Sequence, residues 1–455
     1  MLKKIKFDDF VRLNRGFDLP DDKIIEGKYP VVTSTNIKAY HNEYKIEPPV
    51  VVTGRSGSLG KVQYIQEQCW PLNTALYSKD FKGNNPRYIY YFLQTMHLEQ
   101  YNAGAGVPTL NQNHLQRLKI NVHEIDEQEK VANILAEYDN LIGNNNKRIK
   151  LLEQMAENLY KEWFVRFRFP GHETVKFENG ILKGWKKSSL GNIPGSFNVV
   201  KMKDVFQYYI GGGWGEEEYS ESFNSDAYVI RGADFPKIEN GDWSTCPYRY
   251  HKKSNYTARK LEPWDIILEV SGGTAEQPVG RTLIVTPELL NGLSNKVICA
   301  SFCKQIRCDE KVISPIYFYY WMQYLYETRI IDRFQLQSTG IINFQFEYFL
   351  KKGDVLLPPM TLMKQFETKV KEIYKEKDNL AQQNQNLIKQ RDLLLPRLMS
   401  GKLEVEKTTE NIHKAKVISF EQFVSNMGMA ARAKSISDSD LKAMYEAYID
   451  DDATE

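Results

Sequence analysis

The sequence has few cysteines and histidines and almost no net charge. Five cysteines in 455 residues is an odd, sparse number, which excludes a complete disulfide framework. The 60 Lys and Arg nearly cancel the 58 Asp and Glu, leaving +2, and this argues against a uniformly basic nucleic-acid coat. No apolar run approaches the roughly 20 residues of a membrane span, and no apolar stretch follows the first charges as in a signal peptide. We expect a soluble, cytoplasmic protein with no membrane partner.

The sequence does have enough hydrophobic material for several cores. Hydrophobic residues make up 42% of the chain and aromatic residues 12%, which excludes a disordered chain. The length predicts two or three domains.

The chain is an imperfect duplication. Asp9 and Gly16 match Asp204 and Gly211 without a gap. Further matches follow in the same order: the strand-like runs 29–36 and 228–234, the runs 48–54 and 262–270 before Gly/Ser loops, and the aromatic runs 85–93 and 314–322. Each copy reads as short strands with one aromatic helix, at 86–101 and at 315–332, and ends in a long polar helical segment.

These observations predict an α+β fold with a pseudo-two-fold internal repeat. Two β-rich domains are each followed by a long helix, and the two helices pair as an antiparallel coiled coil. The predicted boundaries are 1–124 and 125–168 for the first domain and helix, 169–198 for a linker, 199–358 and 359–403 for the second domain and helix, and 404–455 for an acidic helical tail of unknown role.

The coiled-coil prediction rests on spacing. Apolar positions recur at steps of four and three from Val131 to Trp163 and again from Phe366 to Leu398, a period of 3.5 residues. Pro396 makes the Leu398 layer unsafe, because proline removes a helical hydrogen bond. An alternative remains open, in which each helix is amphipathic and packs only on its own domain.

One register brings the two central asparagines together. With Asn145 opposite Asn384, a slipped register would leave a buried amide unpaired. The other layers then follow: Ile142 faces Leu387, Ile149 faces Leu380, Trp163 faces Phe366, Tyr138 faces Arg391 and Lys377 faces Leu152.

Four patterns resemble catalytic or metal sites but lack a required part. The loop 54–62 has five residues between its glycines and then Lys-Val, whereas a phosphate loop needs four and then Lys-Ser/Thr. The run Asn85-Pro-Arg-Tyr88 departs from the Asn-Pro-Pro-Tyr loop of amino-methyltransferases, and a helix-start role for the proline explains it better. The acids of 20–28 are too close together for a nuclease site, and the cysteines 299, 303 and 308 lack zinc spacing. We predict no catalytic or metal site.

Recognition is the function that remains. Arginine reads guanine through two hydrogen bonds, and lysine mainly holds phosphate. Two similar but unequal domains on a rigid coil would contact two different half-sites. For each single residue a solvated loop position remains the alternative. The candidates are Arg15, Lys38, Arg55, Ser56 and Ser58 in the first copy, and Trp214, Arg231, Lys252, Lys253, Ser271, Thr274 and Arg281 in the second.

The duplication and the closing segments resemble the specificity subunit of a Type I restriction-modification enzyme. The resemblance covers residues 1 to about 403 and is carried by 125–135, 151–164, 357–360 and Leu-Leu-Pro-Arg-Leu-Met-Ser-Gly-Lys-Leu at 394–403. It implies two target recognition domains, a bipartite asymmetric site on double-stranded DNA, two modification subunits docked on the helices, and restriction (translocase) subunits for cleavage. S-adenosylmethionine, ATP and magnesium are implied on those partners, with no cofactor bound by this chain.

Two other classes of function remain as alternatives. One is a stand-alone DNA methyltransferase or nuclease, which the altered Asn-Pro-Arg-Tyr motif disfavours. The other is a coiled-coil scaffold whose β-rich modules bind protein or glycan. Residues 404–455 carry −5 and residues 1–403 carry +7, so the body of the chain is modestly basic. This charge is too small for tight DNA binding through phosphate neutralisation alone. It favours a recognition subunit whose partners supply part of the affinity for DNA.

Overall fold

The computed structural model describes residues 2–104, 106–172, 177–178, 181–182, 184–273, 277–338 and 341–403. The chain divides into two compact units. Unit 1 comprises the residues up to Asn144 and the described residues from Asn386 onward, and unit 2 comprises 145–385. The predicted tail at 404–455 lies outside the described residues.

Unit 1 is built from short strands and one aromatic helix. Its strands are β1 (Leu2–Lys6), β2 (Arg12–Arg15), β3 (Glu26–Val32), β4 (Ile37–His41), β5 (Val50–Gly54), β6 (Val62–Ile65), β7 (Trp70–Pro71), β8 (Ala75–Asp80) and β9 (Lys119–His123). Its helices are α1 (Phe7–Phe10), α2 (Pro86–Thr95), α3 (Gln112–Gln116) and the first part of α4 (Ile125–Tyr160).

Two sheets and a small ribbon organise unit 1. The larger sheet has the strand order β2-β8-β5-β6, the second has the order β4-β3-β7, and β1 pairs with β9. The strand β5 is buried because its Val-rich sequence packs under α2. Phe10, Tyr88 and Phe92 form edge-to-face contacts in this core. They share it with Val131 and Leu135 of α4.

Unit 2 repeats this arrangement with additions. Its strands are β10 (Phe177–Glu178), β11 (Ile181–Leu182), β12 (Trp185–Ser188), β13 (Gly191–Pro194), β14 (Asn198–Lys201), β15 (Phe206–Gly211), β16 (Ser225–Ile230), β17 (Tyr248–His251), β18 (Ile266–Glu269), β19 (Ser271–Gly273), β20 (Thr282–Ile284), β21 (Val297–Cys299), β22 (Cys303–Cys308), β23 (Gln335–Ser338), β24 (Ile341–Phe344) and β25 (Asp354–Leu357). Its helices are α5 (Phe235–Glu239), α6 (Lys253–Arg259), α7 (Pro287–Gly292), α8 (Pro315–Glu327), α9 (Phe346–Lys352) and most of α10 (Met360–Met399).

The sheet orders of the two units correspond strand for strand. The order β15-β22-β18-β20 repeats β2-β8-β5-β6, and β17-β16-β21 repeats β4-β3-β7. In each second sheet one pair is parallel, β3 with β7 and β16 with β21. The duplication in the sequence is therefore a duplication of the fold, and the α+β class is confirmed.

In the structure, the residue of unit 2 that corresponds to Gly16 lies one position beyond the one that the sequence match predicted. Gly16 donates its N–H to the first residue of β8, and the residue that makes the same bond to β22 is Gly212, not Gly211. A side chain at Gly16 would come 2.3 Å from the Leu72 carbonyl oxygen, and one at Gly212 would come 2.1 Å from that of Ala300. A bulge in β15 between Phe206 and Tyr208 adds the extra residue, so the match without a gap was wrong.

The two aromatic helices are shorter than the sequence pattern predicted. The helix α2 ends at Thr95 and α8 ends at Glu327, and a short 3₁₀ turn follows each. His97 and Arg329 lie at these ends with positive φ of 48° and 61°. A left-handed residue cannot continue an α-helix, which explains why the predicted ranges 86–101 and 315–332 were too long.

Within unit 1 the two long helices contact each other. Val131, Leu135 and Leu398 are all fully buried in one core, and Arg391 of α10 donates to Asp139 of α4 at 2.6 Å. Pro396 has no N–H to donate to the carbonyl of Asp392, yet α10 continues through it. Both residues face solvent, where water can bind the free carbonyl.

Within unit 2 the same two helices continue antiparallel. Trp163 and Phe366 are in ring contact at 6.2 Å, the pairing that the predicted layers require. Ile149 and Leu380 are fully buried in the same core, whereas Ile142 and Leu387 are half-buried within unit 1. The helices thus pack on each other and not only on their own domains.

The polar residues of the seam bond one position beyond the predicted partner. Asn384 donates to Asn146 at 2.8 Å, so the predicted bond to Asn145 is not made although Asn145 is buried. Lys377 likewise binds Glu153 instead of lying over Leu152, at 2.5 Å. Each of these polar groups thus finds its partner at the flanking position of the opposite helix and not in the predicted layer.

Candidate nucleic-acid interface

The motif at 85–88 is a helix start. Asn85 accepts a hydrogen bond from the Tyr88 N–H at 2.9 Å, with Pro86 in the first turn of α2. Ser314 caps α8 in the same way through the Tyr317 N–H. The cap satisfies a backbone donor that the helix cannot, and the helix-start interpretation is confirmed.

Four loops of unit 1 meet at one end of its sheets. We call residues 15–18, 33–36, 55–58 and 73–74 the first loop cluster. Ser34 is buried, and its hydroxyl donates to the carbonyls of Ser56 and Thr74 at 3.2 and 2.8 Å. The Ser56 N–H donates to the same Thr74 carbonyl at 3.0 Å. These bonds fix the backbones of three separate loops together.

Two predicted arginines of this cluster belong to one polar chain. Arg15 binds Asp18 at 3.2 Å, Asp18 accepts a hydrogen bond from the Asn73 side chain, and Arg55 donates to the Asn73 carbonyl at 3.0 Å. Arg15 and Asp18 are exposed and Arg55 is half-buried, so these bonds hold both guanidinium groups in fixed positions within the cluster. Arg15 and Arg55 are about 40 residues apart in the sequence, and no sequence pattern indicated that they are linked.

The remaining candidates of the first copy differ in setting. Ser58 is exposed in the loop after β5, where Gly57 has a positive φ of 85°. Lys38 lies outside the cluster on β4 and pairs with the exposed Asp21 at 2.5 Å.

The equivalent loops of unit 2 form the second loop cluster, residues 211–214, 231–234, 270–273 and 300–302. Several backbone bonds of the first cluster recur in the second. The Val270 N–H donates to the Phe302 carbonyl at 2.8 Å, as the Arg55 N–H donates to the Thr74 carbonyl at 2.9 Å. The Ser271 hydroxyl donates to the Asn343 side chain at 2.8 Å. Thr274 lies outside the described residues.

Two predicted arginines of unit 2 are held in ion pairs. Arg281 binds Glu269 through two bonds of 2.8 and 2.7 Å, and both side chains are mostly buried. Arg231 binds Asp234 at 2.9 and 2.8 Å, and this pairing keeps the pKa of the Asp234 carboxyl below its usual value despite burial. Guanidinium groups satisfied in this way stabilise the loops and have fewer free donors for a base edge.

The other candidates of unit 2 border an acidic segment. Trp214 is 41% exposed, with the Arg249 guanidinium 5.0 Å from its ring. The exposed glutamates 216–218 follow after Gly215, and Arg249 pairs with Glu217 at 2.6 Å. Lys252 and Lys253 are exposed at the start of α6.

Two residues of this region escaped sequence reasoning. Phe302 is 68% exposed, more than any other large apolar side chain that the structure describes. Arg259 at the end of α6 donates to the Gly211 carbonyl at 2.9 Å and has no carboxylate partner within the described part of the chain. No motif marks either residue, because their position follows from strand pairing alone.

The five cysteines are buried free thiols. Burial raises the pKa of each thiol, to about 12 for Cys69, Cys246 and Cys299. Within the described ranges no three His, Cys, Asp or Glu side chains lie close enough together to hold a metal ion. No helix in those ranges has the length and apolar character of a membrane span.

Comparisons with known proteins find similar chains among the subunits of Type I restriction enzymes. Residues 2–154 match the family described as the Type I restriction modification DNA specificity domain. The chain is 25% identical over 337 residues to the Type I restriction enzyme MjaIX specificity subunit of Methanocaldococcus jannaschii, covering 70% of this chain and 69% of that protein. It is 30% identical over 186 residues to the MjaVIII specificity subunit of the same organism, covering 40% of each chain.

A solved structure, the S subunit of a Type I restriction-modification system from M. genitalium, aligns with 88% of this chain and 96% of its own at 14% identity and a TM-score of 0.49. The family match over residues 2–154 and the curated relatives show that the chain is similar to the DNA specificity subunits of Type I restriction-modification systems.

Proposed function

We propose that the two loop clusters each read one half of a bipartite, asymmetric site on double-stranded DNA. One observation carries this proposal: the clusters share several backbone hydrogen bonds but differ in side chains. Asn73 and Thr74 in the first correspond to Ser301 and Phe302 in the second, and Arg55 corresponds to Val270. One scaffold with two sets of base-contacting groups is what unequal half-sites require.

The second part of the proposal concerns partners. Two modification subunits dock on the exposed faces of α4 and α10, restriction (translocase) subunits join for cleavage, and this chain contributes no catalytic group. The modest +7 charge of residues 1–403 supports shared DNA binding, because few phosphates are neutralised by the chain itself. Adenine methylation with S-adenosylmethionine, and ATP- and magnesium-dependent cleavage, then belong to the partners.

Selection from random duplexes tests the proposal. The chain assembled with its modification subunits is expected to enrich one sequence with two defined halves. Arg55→Ala is expected to relax or change the preference in one half only. Lys79→Ala is the matched control, because Lys79 is an exposed cation at the opposite end of β8 from Thr74. No enriched bipartite sequence, or an Arg55→Ala effect in both halves, contradicts the proposal.

A further inference from the structure

Phe302 occupies a turn whose neighbours are almost bare of side chains. The turn joins β21 to β22 and is fixed on both flanks by backbone bonds, from Gly212 and Gly213 on one side and from Val270 on the other. Lengths of 2.8 to 2.9 Å show that these bonds are well formed. The ring therefore projects from a rigid support, not from a loose loop.

Glycines on both flanks leave the ring uncovered. An ideal Cβ at Gly211 or Gly272 would meet nothing within 4 Å. Glycines permit a ligand to approach the backbone closely, so a surface that meets this edge contacts the phenyl ring first. A single exposed ring with polar neighbours such as Ser271 and Ser301 is smaller than the apolar core of a protein–protein interface.

A cation lies beside this edge. The Nε of Arg259 donates to the Gly211 carbonyl, and its Cδ comes 3.7 Å from the ideal Cβ position of Gly213. Its charge has no carboxylate partner in the described ranges, which suits contact with a phosphate. An apolar group next to a phosphate contact fits the edge of a DNA groove.

We infer that Phe302 is a specificity-determining residue that contacts the C5-methyl group of a thymine in the half-site read by unit 2. The inference rests on the proposed function and deepens it. Phenylalanine and the threonine methyl group are among the side-chain groups that suit this contact in the major groove. The equivalent residue of unit 1 is Thr74, also exposed, so the same turn carries a methyl-compatible group in both units.

Replacing single thymines by deoxyuridine tests this inference, because the change removes only the methyl group. In the assembled complex, bound to its selected site, one such replacement in the half-site of unit 2 is expected to weaken binding about fourfold, the value of one buried methylene-sized group. In Phe302→Ala that same replacement is expected to have no effect. Phe302→Leu keeps an apolar group and is expected to show part of the wild-type loss of affinity.

Tyr219→Ala is the matched control, since Tyr219 is 64% exposed in the same unit but lies on the acidic segment. It is expected to keep the wild-type response to every deoxyuridine. Phe302→Ala is expected to unfold at the wild-type denaturant concentration, because the ring is exposed.

Equal responses of Phe302→Ala and the wild type at every thymine overturn the inference, as does a half-site of unit 2 without thymine. In both cases the wild-type complex still selects a bipartite site, so the proposed function stands. If the wild-type complex selects no site, both fail.

Discussion

The pH dependence of stability in unit 2 can be predicted from Glu239. This residue ends α5, and burial raises the pKa of its carboxyl to about 7. Glu153 and Glu157 of α4 raise the pKa further, whereas Lys377 and Arg281 lower it by smaller amounts than burial raises it. The carboxyl is therefore protonated in the folded chain below pH 7.

The sign and size of the effect follow from the two states. In the unfolded chain the carboxyl ionises at its ordinary pKa of 4.5, so the folded state binds more protons between the two values. Stability contributed by the protonated form is fully present below about pH 4.5 and is lost as the pH rises through 7. At 1.36 kcal/mol per pKa unit, the free energy of unfolding falls by about 3 kcal/mol between pH 4.5 and pH 7, and this loss is complete above pH 7.

Glu239→Gln removes this ionisation and keeps the shape of the side chain. We expect the variant to be more stable than the wild type by about 2–3 kcal/mol at pH 8.5 and equal to it at pH 4.5. Urea unfolding followed by tryptophan fluorescence measures the difference, because six of the seven tryptophans lie in unit 2. Glu218→Gln, at an exposed position, is the control. A stability difference that does not change with pH refutes the reasoning.

Three further changes have expected outcomes in the same unfolding assay. Asn384→Leu removes a buried amide whose oxygen has no partner in the described residues, and it is expected to raise stability by about 1 kcal/mol; a loss would show that the bond to Asn146 outweighs the buried oxygen. Asp139→Ala removes the acceptor of both Tyr91 and Arg391 at 2.6 Å and should cost about 2–3 kcal/mol; a cost near zero would mean that water replaces both contacts. Gly16→Ala should cost more than Gly57→Ala, about 3 against 1 kcal/mol, because only the former meets backbone atoms, and the reverse order would contradict the close approach.

The helical seam could be read from the sequence because it depends on local periodicity, and the repeat because matching runs occur in the same order in both copies. A period of 3.5 determines which residues face the partner helix, and Trp163 does meet Phe366. Periodicity does not determine where a flexible polar side chain ends, so the partners of Lys377 and Asn384 were missed by one residue.

The loop clusters depend on long-range pairing, which local sequence patterns indicate poorly. The ion pair that holds Arg281 requires Glu269 on a neighbouring strand, which no local pattern indicates. Phe302 lies in the strand-forming run between Cys299 and Cys303, where a phenylalanine is ordinarily expected to be buried. The roles of all predicted base-contacting residues stay predictions until a selected DNA site is known.

The burial of every thiol makes the cysteines natural reporters of local opening. At pH 8 a thiol with a pKa of about 12 is ionised to roughly one part in ten thousand, so alkylating reagents react only when the surrounding structure opens. Cys69 is the one cysteine of unit 1, and the other four belong to unit 2. The rate of modification at Cys69, compared with the rates at the other four, therefore measures the opening of each half of this duplicated protein separately, in one sample and without any engineered label.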